Sequence, residues 1–181
     1  MVKDGIVWMD LEMTGLDPAK DKIIEIATIV TDGQLEIIAT GPCLVIGQPP
    51  EAFDRMDNWN REHHTKSGLW EKVIASTLTI EEAEEQTLDF LRPLVPQGKS
   101  PLAGNSIWQD RRFIANYMTK LDQFLHYRLI DVSTLKELAK RWYPKAQHWS
   151  KKNSHRALDD IEESINELKF YREQLFLKNE K

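Results

Sequence analysis

The sequence contains a single cysteine, Cys43, so an intrachain disulfide is excluded and nothing points to an oxidising compartment. Long apolar runs are absent as well, because none approaches the ~20 residues that a helix needs to span a bilayer. Residues 1–5 lead directly into a strand-like run and leave no room for a targeting peptide. We therefore expect a cytoplasmic protein with no membrane partner.

Basic residues are too few for a protein that follows a long nucleic acid. The chain has 24 Lys and Arg against 29 Asp and Glu, which gives a formal net charge of −5. Domains that track along nucleic acid are usually basic. The charge balance therefore argues against a long electrostatic track, but it is compatible with a small anionic substrate held by metal ions.

Internal repeats and low-complexity linkers are also absent from the 181 residues. A chain of this length fits one domain with a substantial core. We therefore expect residues 1–181 to form a single domain.

The first part of the chain contains three strand-like segments. An apolar run that starts at Ile6 ends at Thr14-Gly15, and residues 23–30 and 35–46 have the same character. An Asp-Gly turn separates the second and third segments, which is a strong hairpin signal. The pattern predicts an antiparallel meander whose third strand is broken around residues 41–42.

The rest of the chain alternates helical patterns with short strands. A capping-box sequence begins at Thr79, and apolar periodicity marks the last helix. Short strands separated by helices are expected to lie parallel through right-handed crossovers. The sequence therefore predicts an α/β fold with a mixed five-stranded sheet, an antiparallel three-strand meander plus two parallel strands, flanked by helices. The expected short strands are 101–105 and 128–131, and the expected helices are 53–73, 79–94, 107–120, 133–142 and 156–176.

Two acids, Asp10 and Glu12, interrupt the end of the first strand. Side chains two residues apart on a strand share a face, so the two carboxylates stand side by side. Their repulsion is unfavourable unless a hard divalent cation binds their oxygens. The alternative is that one acid is solvated and the other caps a turn.

Further acids occur where helices start, at Asp110, Asp159 and Asp160. Each could simply favour the positive end of a helix dipole. Together with the pair on the first strand, however, they can converge at one edge of a sheet. Four carboxylates suit two Mg²⁺ or Mn²⁺ ions, the arrangement for in-line attack at phosphorus. Spacing alone does not choose between Asp159 and Asp160.

His155 lies in a polar stretch just before the last helix. The pKa of a histidine is close to neutrality, so His155 could swing toward the metals as the general base for water. An exposed loop histidine with no role is the alternative.

Four segments of the chain carry a resemblance to a known family. They are Asp10-Leu11-Glu12-Met13-Thr14-Gly15-Leu16, Gly104-Asn105-Ser106-Ile107 with Asp110-Arg111-Arg112-Phe113, Tyr127-Arg128 with Ile130 to Lys136, and His155 to Ile161. With these segments the chain resembles the oligoribonucleases, which belong to the DEDDh group of 3′-to-5′ exonucleases. The resemblance implies a ribonuclease-H-like fold, a homodimer, metal binding by Asp10, Glu12, Asp110 and Asp160, and His155 as catalytic base.

The same resemblance implies a substrate, namely very short single-stranded RNAs, chiefly dinucleotides, that are cut to mononucleotides. It places one residue as a wedge between the bases, two aromatic residues beside them, and three residues around the 5′ phosphate. A histidine near the substrate and two residues of the acidic motif complete the binding set. Leu16 is the wedge, Trp59 and Tyr127 are the two aromatic residues, and Ser106, Arg128 and Ser133 surround the phosphate. His64 is the histidine near the substrate, and Leu11 and Met13 are the two residues of the acidic motif.

Two other functions remain open from the sequence. One is an exonuclease of the same group that degrades longer RNA or DNA. The other is a catalytically silent nucleotide-binding dimer, although all five catalytic residue types are present.

Overall fold

The computed structural model of the protein describes residues 1–145, 149–150 and 157–176. Strands and helices follow one another in the order expected from the sequence. The strands are β1 (Ile6–Met13), β2 (Ile23–Thr31), β3 (Ile37–Val45), β4 (Leu102–Gly104) and β5 (Leu129–Asp131). The helices are α1 (Glu51–Arg55), α2 (Asn58–Lys66), α3 (Leu69–Ala75), α4 (Ile80–Leu91), α5 (Ile107–Tyr117), α6 (Thr119–Phe124), α7 (Val132–Trp142) and α8 (Ala157–Leu175).

The five strands form one mixed sheet in the order β3-β2-β1-β4-β5. Strands β1, β2 and β3 are antiparallel neighbours, whereas β4 is parallel to both β1 and β5. The predicted fold class is therefore confirmed. Strand β1 occupies the centre of the sheet, so its end lies next to elements from both halves of the chain.

Alternation along β1 assigns its side chains to two helical layers. Val7 and Met9 pack in a core cluster with residues of α4, α5 and α6. Trp8 is fully buried in a second cluster with residues of α7 and α8, and its indole N–H donates to Thr31 Oγ1 at 3.0 Å. Because side chains two apart share a face, Asp10 and Glu12 lie on the α8 side of the sheet.

Strand β3 departs from the prediction at both of the places named for it. It begins at Ile37 rather than at residue 35, because Leu35 is buried with a left-handed φ of 71° and ends the turn. Residues 41–42 do not break the strand. They form a bulge opposite Thr28, since Ala27 pairs with Cys43 and Ile29 pairs with Thr40.

Several of the predicted helices are divided or shortened. Residues 53–73 contain parts of three short helices, and Gly68 separates α2 from α3 with a φ of 70°. The predicted helix 107–120 ends at Tyr117, and α6 starts two residues later. The start of α6 is fixed by the buried Glu84 carboxylate, which accepts hydrogen bonds from the N–H groups of Lys120 at 2.7 Å and Leu121 at 3.0 Å. Helix α4 has the predicted capping box at Thr79 but ends at Leu91.

Across the described residues, every helix is too short or too polar to cross a bilayer.

Candidate active site

The carboxylates of Asp10, Glu12 and Asp160 meet at the end of β1. Their oxygens lie within 4.8 Å of one another. The first turn of α8 supplies Asp160, whereas the neighbouring Asp159 is exposed and lines an adjoining cleft of about 310 Å³. The structure thus brings together three of the four predicted metal ligands and separates the two consecutive acids of α8.

Asp110, the fourth predicted ligand, is buried beside this cluster at the start of α5. Its Oδ1 accepts the backbone N–H of Leu11 at 3.0 Å. This N–H is available because β4 pairs with β1 only at Val7 and Trp8. The bond anchors Asp110 to the strand that carries Asp10 and Glu12.

Crowding of these acids changes how readily they ionise. The pKa of Glu12 is raised to about 8, first by burial and then by the charges of Glu25, Asp160 and Asp110, in that order of importance. Burial also raises the pKa of Asp110 to about 7, against the effect of its bond from Leu11 N–H. A bound divalent cation would favour the charged forms of both acids, and an all-carboxylate donor set suits Mg²⁺ or Mn²⁺. The residues present therefore fit a hard cation.

His64 is a buried residue of helix α2 on the side that faces Glu12 of the acidic cluster. Its Nε2–H donates to the carbonyl of Met13 at 2.9 Å, which leaves the unprotonated Nδ1 facing Glu12 Oε2 at 4.0 Å. Among the described residues, the buried Nδ1 has no hydrogen-bond partner. Burial lowers the pKa of His64, so the ring is neutral at pH 7.

Three large apolar side chains that the sequence assigns to base binding are exposed, namely Leu16, Trp59 and Tyr127, at 69%, 67% and 74%. The Leu16 carbonyl accepts a 2.7 Å hydrogen bond from the buried side chain of Gln109. The Trp59 ring stacks on His63 at 4.8 Å. These three side chains therefore lie at the surface and are not packed in the core.

The loop between β1 and β2, which carries Leu16, depends on a close approach at Gly15. A Cβ atom at this position would overlap the carboxylate of Asp21. That carboxylate holds the loop through Thr14 Oγ1 at 3.2 Å and the N–H of Asp17 at 2.9 Å. Glycine is therefore required for the loop to fold over Asp21.

Leu11 and Met13, the other two residues of the acidic motif, turn their side chains to the core. Leu11 is 4% exposed within the cluster that contains Val7 and Met9, and Met13 packs against the same cluster. What these two residues offer to the site is backbone, namely the Leu11 N–H and the Met13 carbonyl.

A second polar corner forms where β4 and β5 end. The N–H of Ser106 donates to Asp131 Oδ1 at 2.9 Å and to Ser133 Oγ at 3.0 Å, and the two serine hydroxyls are 3.1 Å apart. Arg128 is exposed nearby in the chain, with its guanidinium 5.4 Å from the centre of the Tyr127 ring. Ser106 and Ser133, predicted to act together, are therefore adjacent.

Residues 146–148 and 151–156 lie outside the described residues. The structure therefore describes only residues 149 and 150 of the loop 147–153, and it does not describe His155. The prediction for His155 therefore remains one from the sequence. Trp108, which stands two residues before Asp110, is 53% exposed and packs against the guanidinium of Arg112 at 5.8 Å.

Two residues of this region were not singled out from the sequence. Glu25 pairs with Glu12 across β1 and β2 and is only 9% exposed. The sequence feature that could have indicated Glu25 is that it is the single acid in the largely apolar segment 23–30. Gln109 had no such signal, because its contact with Leu16 joins residues 93 positions apart.

Solved structures with this fold include exonuclease I. One such structure matches 94% of this chain with a TM-score of 0.72 and 16% identity. The complex of Escherichia coli exonuclease I with a dA16 oligonucleotide matches 95% of this chain with a TM-score of 0.72 and 15% identity. The matched part is 41% of those longer chains. At this identity the likeness establishes the fold.

Sequence relatives are much closer and have nearly the same length. The oligoribonuclease of Bordetella pertussis is 58% identical over 174 residues, which are 96% of each chain. The oligoribonuclease of Escherichia coli O139:H28 is 55% identical over 172 residues, 94% of this chain and 95% of that one. The exonuclease family model RNase_T matches residues 7–168. Identity of this degree over almost the whole chain shows that the protein belongs to the oligoribonuclease family of 3′-to-5′ exoribonucleases.

Proposed function

We propose that the enzyme degrades very short oligoribonucleotides, chiefly dinucleotides, by hydrolysis with two divalent cations, Mg²⁺ or Mn²⁺. Asp10, Glu12, Asp110 and Asp160 are the proposed ligands. The observation that carries this proposal is the meeting of three of these carboxylates within 4.8 Å, with the buried Asp110 beside them.

Bound cations would supply activation of water and neutralisation of the charge that grows on the phosphate. His155 is the proposed base that takes the proton from the attacking water. The water oxygen bonds to phosphorus, the bond from phosphorus to the 3′ oxygen of the preceding ribose breaks, and that oxygen takes a proton from solvent to become a hydroxyl. The product is a nucleoside 5′-monophosphate.

The proposed selection of short RNA depends on two groups of residues, one that binds the bases and one that surrounds the 5′ phosphate. Leu16, Trp59 and Tyr127 offer apolar faces on which bases stack without sequence preference. Ser106, Arg128 and Ser133 are proposed to surround the terminal 5′ phosphate, with the Ser106 hydroxyl and the Arg128 guanidinium as the donors to it. A site closed at the 5′ end favours an RNA that ends there and obstructs one that continues. The net charge of −5 agrees with a substrate that needs no long basic track.

The proposal includes a homodimer in which Tyr127 reaches the partner's site. Tyr127 is 74% exposed in the single chain, and its ring lies against His126 in a tilted arrangement with the ring centroids 4.4 Å apart. A two-fold axis makes such an exchange reciprocal, so each subunit would complete the other. We also propose a cytoplasmic location, which agrees with the presence of only one cysteine in the chain.

The test compares turnover of a 5′-phosphorylated diribonucleotide with that of a twenty-residue RNA and DNA, in Mg²⁺ and in Mn²⁺. We expect kcat/KM to be highest for the diribonucleotide and the products to be mononucleotides. Faster degradation of the long substrates would support the exonuclease of longer chains instead. Binding without turnover in both metals would support the silent dimer.

A further inference from the structure

Helix α8 also carries a completely buried carboxylate that is not part of the acidic cluster. Glu167 is 0% exposed, and its Oε1 lies 3.0 Å from Lys136 Nζ and accepts from the Tyr171 hydroxyl at 3.1 Å. Its Oε2 accepts from Asn105 Nδ2 at 2.9 Å. Burying a charge is unfavourable unless it is paired and hydrogen-bonded. These contacts satisfy Glu167, and one of them leads toward the polar corner at Ser106 and Ser133.

Glu167 fixes the orientation of the Asn105 side chain. An ionised carboxylate can only accept hydrogen bonds, so the amide nitrogen of Asn105 must face it. The same nitrogen donates to Ser164 Oγ at 2.9 Å, and Ser164 Oγ donates to the carbonyl of Asp160 at 2.8 Å. Asn105 Oδ1 must therefore face Ser133, whose hydroxyl lies 3.0 Å away.

The direction of the next hydrogen bonds follows from this orientation. Asn105 Oδ1 is an acceptor only, so the hydroxyl hydrogen of Ser133 is committed to it. Ser133 Oγ then accepts from the N–H of Ser106 at 3.0 Å, and the Ser106 hydroxyl is the donor in the 3.1 Å contact between the two serines. Along the series Ser106, Ser133, Asn105 and Glu167, each side chain therefore donates a hydrogen bond to the next one.

Ser106 is the first member of this series and the one that can change partner. It is exposed and has a left-handed backbone, with φ 52° and ψ 31°. Its hydroxyl can turn to a phosphate oxygen while Ser133 Oγ keeps the bond from the Ser106 N–H. The hydroxyl of Ser133 cannot turn outward without leaving Asn105 Oδ1 unsatisfied, which is costly.

We propose that Asn105 and Glu167 are positioning residues that make Ser106 the hydroxyl donor to the 5′ phosphate and hold Ser133 as an acceptor. They thereby determine the preference for a 5′-phosphorylated substrate. This inference rests on the proposed function, in which the corner at Ser106 and Ser133 surrounds that phosphate. Lys136 and Tyr171 act one step further away, by holding the Glu167 carboxylate in place.

The experiment measures kcat and KM for one diribonucleotide with a 5′ phosphate and for the same diribonucleotide with a 5′ hydroxyl. We expect Asn105→Ala and Glu167→Gln to reduce the ratio of the two kcat/KM values by about tenfold, the scale of one lost charge-assisted hydrogen bond. The loss should come mainly from a higher KM for the phosphorylated substrate. Glu84→Gln is the matched control, because it alters another buried carboxylate that holds backbone N–H groups far from the serines. It should lower the melting temperature and leave the ratio unchanged.

A double-mutant cycle separates positioning from general damage. If Asn105 acts through Ser106, Asn105→Ala should add little to the loss of ratio already caused by Ser106→Ala. Additive losses, or a normal ratio in Asn105→Ala, would overturn the positioning role. A wild-type enzyme with no preference for the 5′ phosphate would instead overturn the proposed phosphate site itself. Circular dichroism and thermal melts show whether Glu167→Gln folds. If it does not fold, the double-mutant cycle of Asn105→Ala and Ser106→Ala tests the positioning role by itself.

Discussion

At the scale of single residues, the site is a set of carboxyl groups whose charged forms repel one another. Two like charges about 4 Å apart repel by ~4 kcal/mol at the effective dielectric of a protein surface. Asp10, Glu12 and Asp160 approach to nearly that distance. The fold therefore accepts a local energetic cost, which a bound cation removes and which the loss of one carboxylate reduces.

We predict that Asp10→Ala and Asp160→Ala abolish hydrolysis while the fold survives. Because repulsion decreases, melting temperatures in chelator should equal or exceed that of the wild type. Asp159→Ala is the control, since its carboxylate is the exposed neighbour of Asp160, and it should keep near-normal rates. Initial rates in Mn²⁺ and thermal melts check both statements. Activity retained by either cluster variant would contradict the metal assignment.

The raised pKa of Glu12 has a consequence for the stability of the metal-free enzyme. Between its ordinary value of 4.5 and the folded value of about 8, the folded chain holds a proton that the unfolded chain has lost. The free energy of unfolding therefore decreases as pH rises through this window. We predict that Glu12→Gln melts close to wild type at pH 5 and a few degrees above it at pH 8, in chelator. A difference that does not vary with pH would contradict the shift.

Sequence reasoning worked well where a residue's role depends on its own strand. Alternation placed Asp10 and Glu12 on one face, and the structure has them together. It could not choose Asp160 over Asp159, because the rotation of α8 against the sheet decides that. Gln109 and Glu167 escaped notice since their partners, at Leu16 and Asn105, are 93 and 62 positions away.

At the scale of elements, local signals determined where some helices begin and distant contacts determined others. The capping box at Thr79 starts α4 and was visible in the sequence. The start of α6 depends on Glu84, which lies 36 positions from Lys120, so no local pattern could reveal the break at Met118. The left-handed Leu35 moved the start of β3 for a similar reason, because burial of its side chain stabilises a backbone that leucine rarely adopts.

Three elements, β1, α5 and α8, supply the proposed ligands, so a bound metal should hold them together. Binding to the folded state alone stabilises it by about 2.7 kcal/mol at a hundredfold excess over Kd. For a chain of this size we predict a rise in melting temperature of roughly 5–10 °C with Mg²⁺ or Mn²⁺. Calorimetry gives the binding itself, and Asp10→Asn should reduce both signals. Failure of the wild type to bind either ion would remove the metal site from the proposal.

At the scale of the whole molecule, the sheet places the acidic cluster and the serine corner on neighbouring strands. Strand β1 carries Asp10 and Glu12, and the ends of β4 and β5 lead to Ser106 and Ser133. The order of elements along the chain predicted that β4 and β5 run parallel, since short strands joined by helices do so, whereas their position beside β1 comes from the structure. The composition gave no indication of a dimer, which rests on the family resemblance and on the exposure of Tyr127.

Subunit exchange tests the shared site. We predict that Asp10→Ala and Tyr127→Ala proteins are each nearly inactive but recover activity when mixed in equal amounts. Random exchange makes about half of the dimers mixed, and one of the two sites in each mixed dimer is whole, so roughly one site in four should recover. If Tyr127 serves its own chain, no mixed site is whole. Absence of recovery after exchange has been verified by mass spectrometry would refute the shared site and leave the metal chemistry intact.

The short β4 strand has one more consequence, for how the site can be observed. Because β4 stops pairing at Trp8, the Leu11 amide proton is bound by the carboxylate of Asp110 rather than by a neighbouring strand. Its NMR chemical shift therefore depends on the ionisation of a side chain at the site, although its own side chain lies in the core. We predict that the Leu11 resonance titrates near pH 7 in chelator and that Mg²⁺ abolishes this titration. The amide of Val7, which bonds to the Pro101 carbonyl, is the internal reference and should stay constant.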